Sequence, residues 1–309
     1  MIVDGEKLTK ALREFKVQLL PTNSPETIRR NISRVAMLAR RGMDPFNIDE
    51  TWLWEYCASQ LEASKKKNSL RIEMDDLARW IDFTGQTIRI PKFKREAEQD
   101  PWFPSEQEYK EVLRVCSLKF KENLRDYLRE PAHQKKWFKT ALIIRVLAEG
   151  GMRVSELLKM NLDERREKGY FIRSSKGEKD RFVALSPPTL EMIDRYVKEF
   201  RENTDTKALW TGEYGRLKPA VIRKLVKEAG IAAGVPQMHP HAMRHYCATR
   251  LLKMGVDMRK VQIHLGHGSI KSTQRYTHML SSDVQGEIYD LYSGVQEHDF
   301  FEYEEAIAI

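Results

Sequence analysis

The chain has 309 residues, 41% of them hydrophobic and 32% charged, with 53 Lys and Arg against 45 Asp and Glu. That length fits two domains, and the apolar content excludes a disordered or low-complexity chain. No apolar run approaches the ~20 residues needed to cross a bilayer, and the widely spaced Cys57, Cys116 and Cys247 fit neither a disulfide framework nor a paired-thiol zinc site, so a reducing, cytoplasmic setting is expected.

Residues 1–15 carry charge throughout, with no apolar stretch suited to secretion. Ser24-Pro25-Glu26 is the first helix-start signal, with proline in the opening turn. Ile28, Ile32, Val35 and Ala39 then recur at helical spacing beside Leu38, predicting a helix over 27–40 that Asp44-Pro45 punctuates. Two further helices are expected over 50–64 and 69–83, parted by Lys65-Lys66-Lys67-Asn68. Trp52, Trp54 and Trp80 read as core or packing residues in preference to base-stacking ones. Arg29, Arg30, Arg34, Arg40 and Arg41 lie on or near one helix and suit either phosphate contacts or a solvated face. Pro91, Pro101 and Pro104, with the polar stretch 92–100, mark a linker. The expected organisation is a helical domain over 1–90, a linker over 91–104, a second domain over 105–295 and a tail over 296–309.

The second domain opens with a helix over 105–116. An apolar helix beginning at Ala141–Leu147 is stopped by Gly150-Gly151, and helix resumes over 153–158. The period then changes: 170–174 and 181–185 are strand-like runs around Ser175-Lys176-Gly177-Glu178-Lys179-Asp180, a hairpin with a lysine-rich tip. Helices follow over 189–200, 219–229 and 240–254, the last ended by Gly255, with short ones near 258–263 and 270–276. The fold class is mainly α with a small antiparallel β-sheet.

Charge is uneven along this order. Residues 1–104 hold 18 basic and 16 acidic side chains, 105–295 hold 35 and 24, and 296–309 hold no basic and 5 acidic ones. A basic central block suits a polyanionic partner, a solvated basic surface being the alternative. Six of the eight histidines fall between 239 and 278: His239, His241, His245, His264, His267 and His278. His241 and His245 have the i,i+4 spacing of a zinc pair, but no Glu follows His241 and Arg244 would repel a cation. His241 and Arg244 share a helix face by i,i+3 spacing, pointing together away from the apolar stripe Met243, Cys247, Leu251 and Met254. A histidine and a guanidinium side by side at a helix start suit an oxyanion such as a phosphodiester. A solvated helix start is the plain alternative.

Five boxes occur in order: Gly-Met-Arg-Val-Ser-Glu-Leu-Leu at 151–158, Ser-Lys-Gly-Glu-Lys-Asp-Arg-Phe-Val-Ala-Leu at 175–185, His-Pro-His-Ala-Met-Arg-His at 239–245, Leu-Gly-His-Gly-Ser at 265–269 and Thr-Gln-Arg-Tyr-Thr-His at 273–278. Each alone is weak. Together they closely resemble the tyrosine recombinase (integrase) family, in its Xer-like branch, over roughly 105–280. Over 22–90 only the helical pattern suits that family's core-binding domain.

The resemblance implies a DNA-clamping helical domain followed by an α+β catalytic domain. It implies a site-specific recombinase that cleaves and rejoins double-stranded DNA at specific target sites, without ATP, metal or other cofactor. Tyr276 would attack the scissile phosphate to form a 3′-phosphotyrosyl link. Arg153 and Arg244 would clamp its non-bridging oxygens, His267 would add a hydrogen bond, and His241 would accept the phenolic proton. Lys176 would protonate the 5′-oxygen, with Lys179 as the competing choice and a DNA contact. Glu156 either holds Arg153 in register or serves as a simple first-turn carboxylate. Arg29, Arg30 and Arg34 are the N-terminal DNA-contact candidates. A homo-tetramer on DNA is expected, the tail 296–309 either docking in trans or packing on its own chain. Localisation is expected to be cytoplasmic, with the nucleoid, and no membrane partner is expected. The alternatives are a type IB topoisomerase-like relaxing enzyme and a non-catalytic DNA-binding protein.

Overall fold

The computed structural model describes residues 5–94, 96, 101–125, 131–173, 180–266, 288–289 and 291–293. The chain divides into two units, Met1–Gln99 and Asp100–Ile309. No helix among the described residues is long and apolar enough to cross a membrane.

The first unit is built from α1 (Gly5–Leu19), α2 (Pro25–Arg40), α3 (Glu50–Glu62) and α4 (Lys67–Thr84). Ser24 caps α2, its hydroxyl accepting from the Thr27 N–H at 3.2 Å, with Pro25 in the first turn. The buried stripe of α2 is Ile28, Asn31, Val35 and Leu38, with Ile32 and Ala39 at its margin. That is a rotation from the predicted stripe, because the larger Leu38 takes the centre in place of Ala39. α1 lacks an obvious cap signal, yet Leu8, Leu12, Phe15 and Leu19 recur at helical spacing and turn onto the core. Trp80 is fully buried, edge-on to Phe15 at 5.2 Å, and donates Nε1 to the Pro45 carbonyl at 2.7 Å. Trp52 stacks on Tyr56. Trp54, expected to pack, is instead 53% exposed; two positions along α3 place it on the far side from Trp52. Ile88, Ile90 and Phe93 lie against this core, so the chain as far as Phe93 packs on the first unit.

The second unit is organised around α6 (Pro131–Gly150), in which every residue from Ala141 to Gly150 is buried. An apolar surface on all sides marks a central helix, and α5 (Glu106–Arg125), α8 (Pro187–Arg195), α9 (Pro219–Ala232) and α10 (Pro240–Lys253) pack around it. Both α5 and α6 run well beyond their predicted spans. After α6 come α7 (Val154–Leu157) and a three-stranded antiparallel sheet of β1 (Arg165–Arg166), β2 (Gly169–Ile172) and β3 (Arg181–Ala184). Tyr170 faces Val183 and Ile172 faces Arg181 across the predicted hairpin, whose tip, 174–179, lies outside the described residues. Ser186 caps α8, which runs on as a wide turn over Tyr196–Phe200. A two-stranded ribbon, β4 (Thr211–Gly212) and β5 (Gly215–Arg216), precedes α9.

α10 ends in a Schellman arrangement. Gly255, at φ +88°, donates to the Leu252 carbonyl, and Val256 donates to that of Leu251. α11 (Met258–Leu265) follows, capped by Asp257 and ended by Gly266 at φ +68°. The expected helix near 270–276 lies outside the described residues.

Candidate active site

α6 fixes the site from within. The buried Glu149 carboxyl group accepts from the Ser186 N–H at 2.8 Å, the Ser186 hydroxyl at 2.9 Å and the Thr189 hydroxyl at 2.5 Å, so a polar group deep in the core is held by hydrogen bonds on both oxygens. The Glu149 backbone carbonyl takes three more donors: Cys247 Sγ of α10 at 3.1 Å, His264 Nε2 of α11 at 2.9 Å and Tyr292 Oη at 2.6 Å. These bonds pin the segments of the third and fourth boxes to the end of α6.

Gly151 comes next, at φ +55°, where a Cβ would overlap Leu265 and crowd Cys247. Only glycine combines that backbone with that approach. The turn aims the Gly151 carbonyl at α10, where Nη1 of Arg244 donates to it at 2.6 Å. It also sets Arg153 at the N-cap of α7. Glu156, on α7, accepts from the Arg153 N–H at 2.7 Å and takes the Arg181 guanidinium on both oxygens, Nη2 to Oε2 at 3.2 Å and Nη1 to Oε1. Nη1 of Arg153 lies 3.8 Å from this carboxylate and Nη1 of Arg244 lies 3.9 Å from it. Three guanidiniums therefore surround one carboxylate. The surplus positive charge suits a phosphodiester anion.

Arg244 departs from the expectation that it points outward with His241: it is 3% exposed, whereas His241 is exposed. The first turn of α10 instead turns the guanidinium inward, because Glu156 and the Gly151 carbonyl compensate its burial. Burial lowers its pKa to about 10, and the neighbouring Arg153 acts in the same direction; it remains a cation at neutral pH. Its Nη2 is buried and has no hydrogen-bond partner among the described residues, a donor in want of an acceptor. His241 sits 4.7 Å from His245, ring edge to face. Partial burial first, and then the charges of His245, Arg244, His239 and Arg153, hold its pKa below the ordinary 6.5. For Glu156 burial pushes upward, but the hydrogen bond and charge of Arg181, the Arg153 N–H and Arg244 outweigh it, and the carboxyl titrates below its usual 4.5.

Arg153, His241 and Arg244 are thus brought to one place, with Glu156 at the centre of the guanidiniums rather than at a solvated helix start. Lys176, Lys179, His267 and Tyr276, with His278 and the tail 296–309, lie outside the described residues. Among the described residues no group of three His, Cys, Asp or Glu side chains could hold a metal ion. In the first unit, Arg30 is paired with buried Asp76 through two 2.9 Å bonds, and Arg34 with buried Glu73. Much of their charge is already compensated, whereas Arg29 is exposed. Arg181 escaped sequence reasoning although it stood inside a quoted box. The signal was a charged residue on the inward side of a strand, in line with Val183 and Leu185.

A model of the phage integrase family matches residues 118–282, more than half of the chain. Tyrosine recombinase XerD of Staphylococcus aureus is 34% identical over 155 residues, 48% of this chain and 52% of that protein. The chain thus spans about half the length of the curated relatives it matches. Among solved structures, XerH site-specific recombinase bound to its difH substrate superposes with a TM-score of 0.58 at 21% identity, covering 90% of this chain and 94% of that one. A lambda integrase tetramer bound to a Holliday junction gives 0.60 at 16%, covering 87% and 80%. At those identities the likeness is one of fold, a mainly helical chain with small antiparallel sheets.

Proposed function

The chain belongs to the phage integrase family, and from that premise we propose that it is a site-specific DNA recombinase working through a phosphotyrosyl intermediate. The observation that carries this reading is the buried Nη2 of Arg244, which has no partner among the described residues and stands beside a cluster of positive charge. A non-bridging phosphate oxygen is the acceptor such a donor suits, and the same oxygens sit within the field of Arg153.

In the reaction, Tyr276 Oη attacks the scissile phosphorus and the bond to the 5′-oxygen breaks. The phenolic proton passes to His241, and Lys176, with Lys179 as the alternative, protonates the leaving 5′-oxygen. The products are a 3′-phosphotyrosyl ester and a 5′-hydroxyl. Tyrosine, with an ordinary pKa near ~10, needs such a base at neutral pH; a His241 ring held below 6.5 is neutral there and able to accept. Arg153, Arg244 and His267 hold the charge of the five-coordinate state, the part that metal ions play in other phosphoryl transfers. The ester keeps the energy of the broken bond, so attack by a 5′-hydroxyl reverses the steps without ATP. Cleavage is therefore expected to persist in EDTA; loss to chelator with recovery on adding Mg²⁺ would count against this mechanism.

Arg29, with the exposed part of Arg30, is the N-terminal surface we assign to DNA phosphates, Arg34 lending its charge from beside Glu73. By extension from the lambda integrase tetramer, four copies exchange strands between two duplex sites, with residues 296–309 docking on a neighbouring copy. The setting is cytoplasmic, at the chromosome, which accords with three buried, reduced cysteines. A suicide duplex nicked near the cleavage position tests the reading directly. The wild type should become covalently attached to DNA and Tyr276→Phe should not; an adduct that survives in Tyr276→Phe refutes it.

A further inference from the structure

Glu156 poses a problem for the site it organises. A carboxylate 3% exposed lies 3.8 Å from one guanidinium and 3.9 Å from another that the reaction needs for phosphate. At such range, in a setting of low dielectric, an anion without its own counter-ion draws a neighbouring cation into full contact. A contact of that kind would turn Arg244 away from an incoming phosphate.

The counter-ion is Arg181. Its guanidinium is 8% exposed and meets the carboxylate in bidentate fashion, one nitrogen to each oxygen. Its Nη1 edge also lies against Gly266, where a Cβ would overlap Nη1. Strand β3 on one side, α7 on the second and the glycine that ends α11 on the third therefore leave it a single orientation. With both oxygens of Glu156 occupied by Arg181 and one also by the Arg153 N–H, the carboxylate has little capacity left for the Arg244 side chain. That side chain goes to the Gly151 carbonyl through Nη1 and keeps Nη2 in reserve.

We propose that Arg181 is a positioning residue: it occupies Glu156 so that the carboxylate anchors α7 without capturing the guanidinium of Arg244. The inference rests on the recombinase reading and deepens it. Arg181 never touches DNA; it sets the charge that DNA meets. It also ties the strand leaving the lysine-bearing turn to α7 by an ion pair, and its guanidinium lies against Gly266, the residue before His267.

The experiment is single-turnover cleavage of a nicked suicide duplex at saturating DNA, with duplex affinity and thermal unfolding measured on the same preparations. The wild-type adduct is the reference, and its absence sinks the recombinase reading itself, separately from this one. Arg181→Met is expected to bind duplex within about twofold of wild type yet to cleave ~10²-fold more slowly, the scale of losing one preorganised donor. Arg181→Lys, which keeps a cation beside Glu156, should stay within about tenfold. Adding Glu156→Gln to Arg181→Met removes the carboxylate that would capture Arg244 and should recover at least tenfold in rate. Wild-type cleavage by Arg181→Met overturns the proposal. So does a folded double variant no faster than the single one. If Arg181→Met does not fold, the double variant and Arg181→Lys decide: either one folded but ~10²-fold slow refutes the role.

Discussion

Arg244 shows how much at the residue scale depends on one buried group. It is planar, charged, held by the Gly151 carbonyl and left with a donor in reserve. A lysine would supply the charge as a point, without the fork. Arg244→Lys is therefore expected to slow cleavage by ~10²–10³-fold while changing DNA affinity little, measured as single-turnover adduct formation against binding isotherms. His241 gives a pH dependence whose sign is fixed. Its pKa lies below 6.5, so the proton-accepting form predominates above that pH and is lost as pH falls. The cleavage rate should be level just above pH 7 and decline through an acid limb centred below 6.5, with a separate alkaline fall as the lysine acid loses its proton at ~10. A limb centred at or above 7 would assign the base elsewhere.

Elements account for what could and could not be foreseen. Ser24-Pro25 announced α2, and Gly255 announced the end of α10, because caps and left-handed glycines are local chemistry written in single residues. Ser24→Ala should accordingly cost about 1 kcal/mol in the urea unfolding of the first unit. α1 was not read from the sequence: its stripe Leu8, Leu12, Phe15 and Leu19 is interleaved with charge and has no punctuation before it. The half of α6 that is buried on every side, from Ala141, was the half legible as an apolar helix; its first half was missed because Trp137 and Phe138 stand there among polar residues, too few to set a period. Gly150-Gly151 read as a stop, which it is; that the second glycine is also a contact surface for Leu265 and Cys247 depends on residues about a hundred positions away. Gly151→Ala combines left-handed backbone strain with overpacking and is expected to destabilise by about 3 kcal/mol, seen as a lowered unfolding midpoint. The inward turn of Arg244 was illegible for a similar reason. Spacing places a side chain on a face, but the compensating Glu156 and Gly151 carbonyl come from another box.

On the scale of the whole molecule, the order of the five boxes carried the family, and among the described residues the end of α6 is the common anchor for α10, α11 and Tyr292. The separation of a nearly balanced first unit from a basic second one also has a consequence for assembly. If the acidic, apolar tail docks on a neighbouring copy, truncation after Val295 should leave covalent cleavage in place while abolishing tetramer formation on paired sites, read by gel shift and strand exchange. Unchanged assembly and exchange would put the tail on its own chain.

The three thiols offer a built-in clock. Burial lifts Cys57 to about 11 and Cys116 and Cys247 to about 12, so at neutral pH almost none is in the reactive thiolate form. Alkylation must wait for the surrounding structure to open. Cys57 would time breathing of the N-terminal helices, and Cys247, wedged against Gly151, that of the guanidinium cluster. Cognate duplex should slow the Cys247 label far more than the Cys116 one, giving a map of where DNA tightens the protein without any added probe.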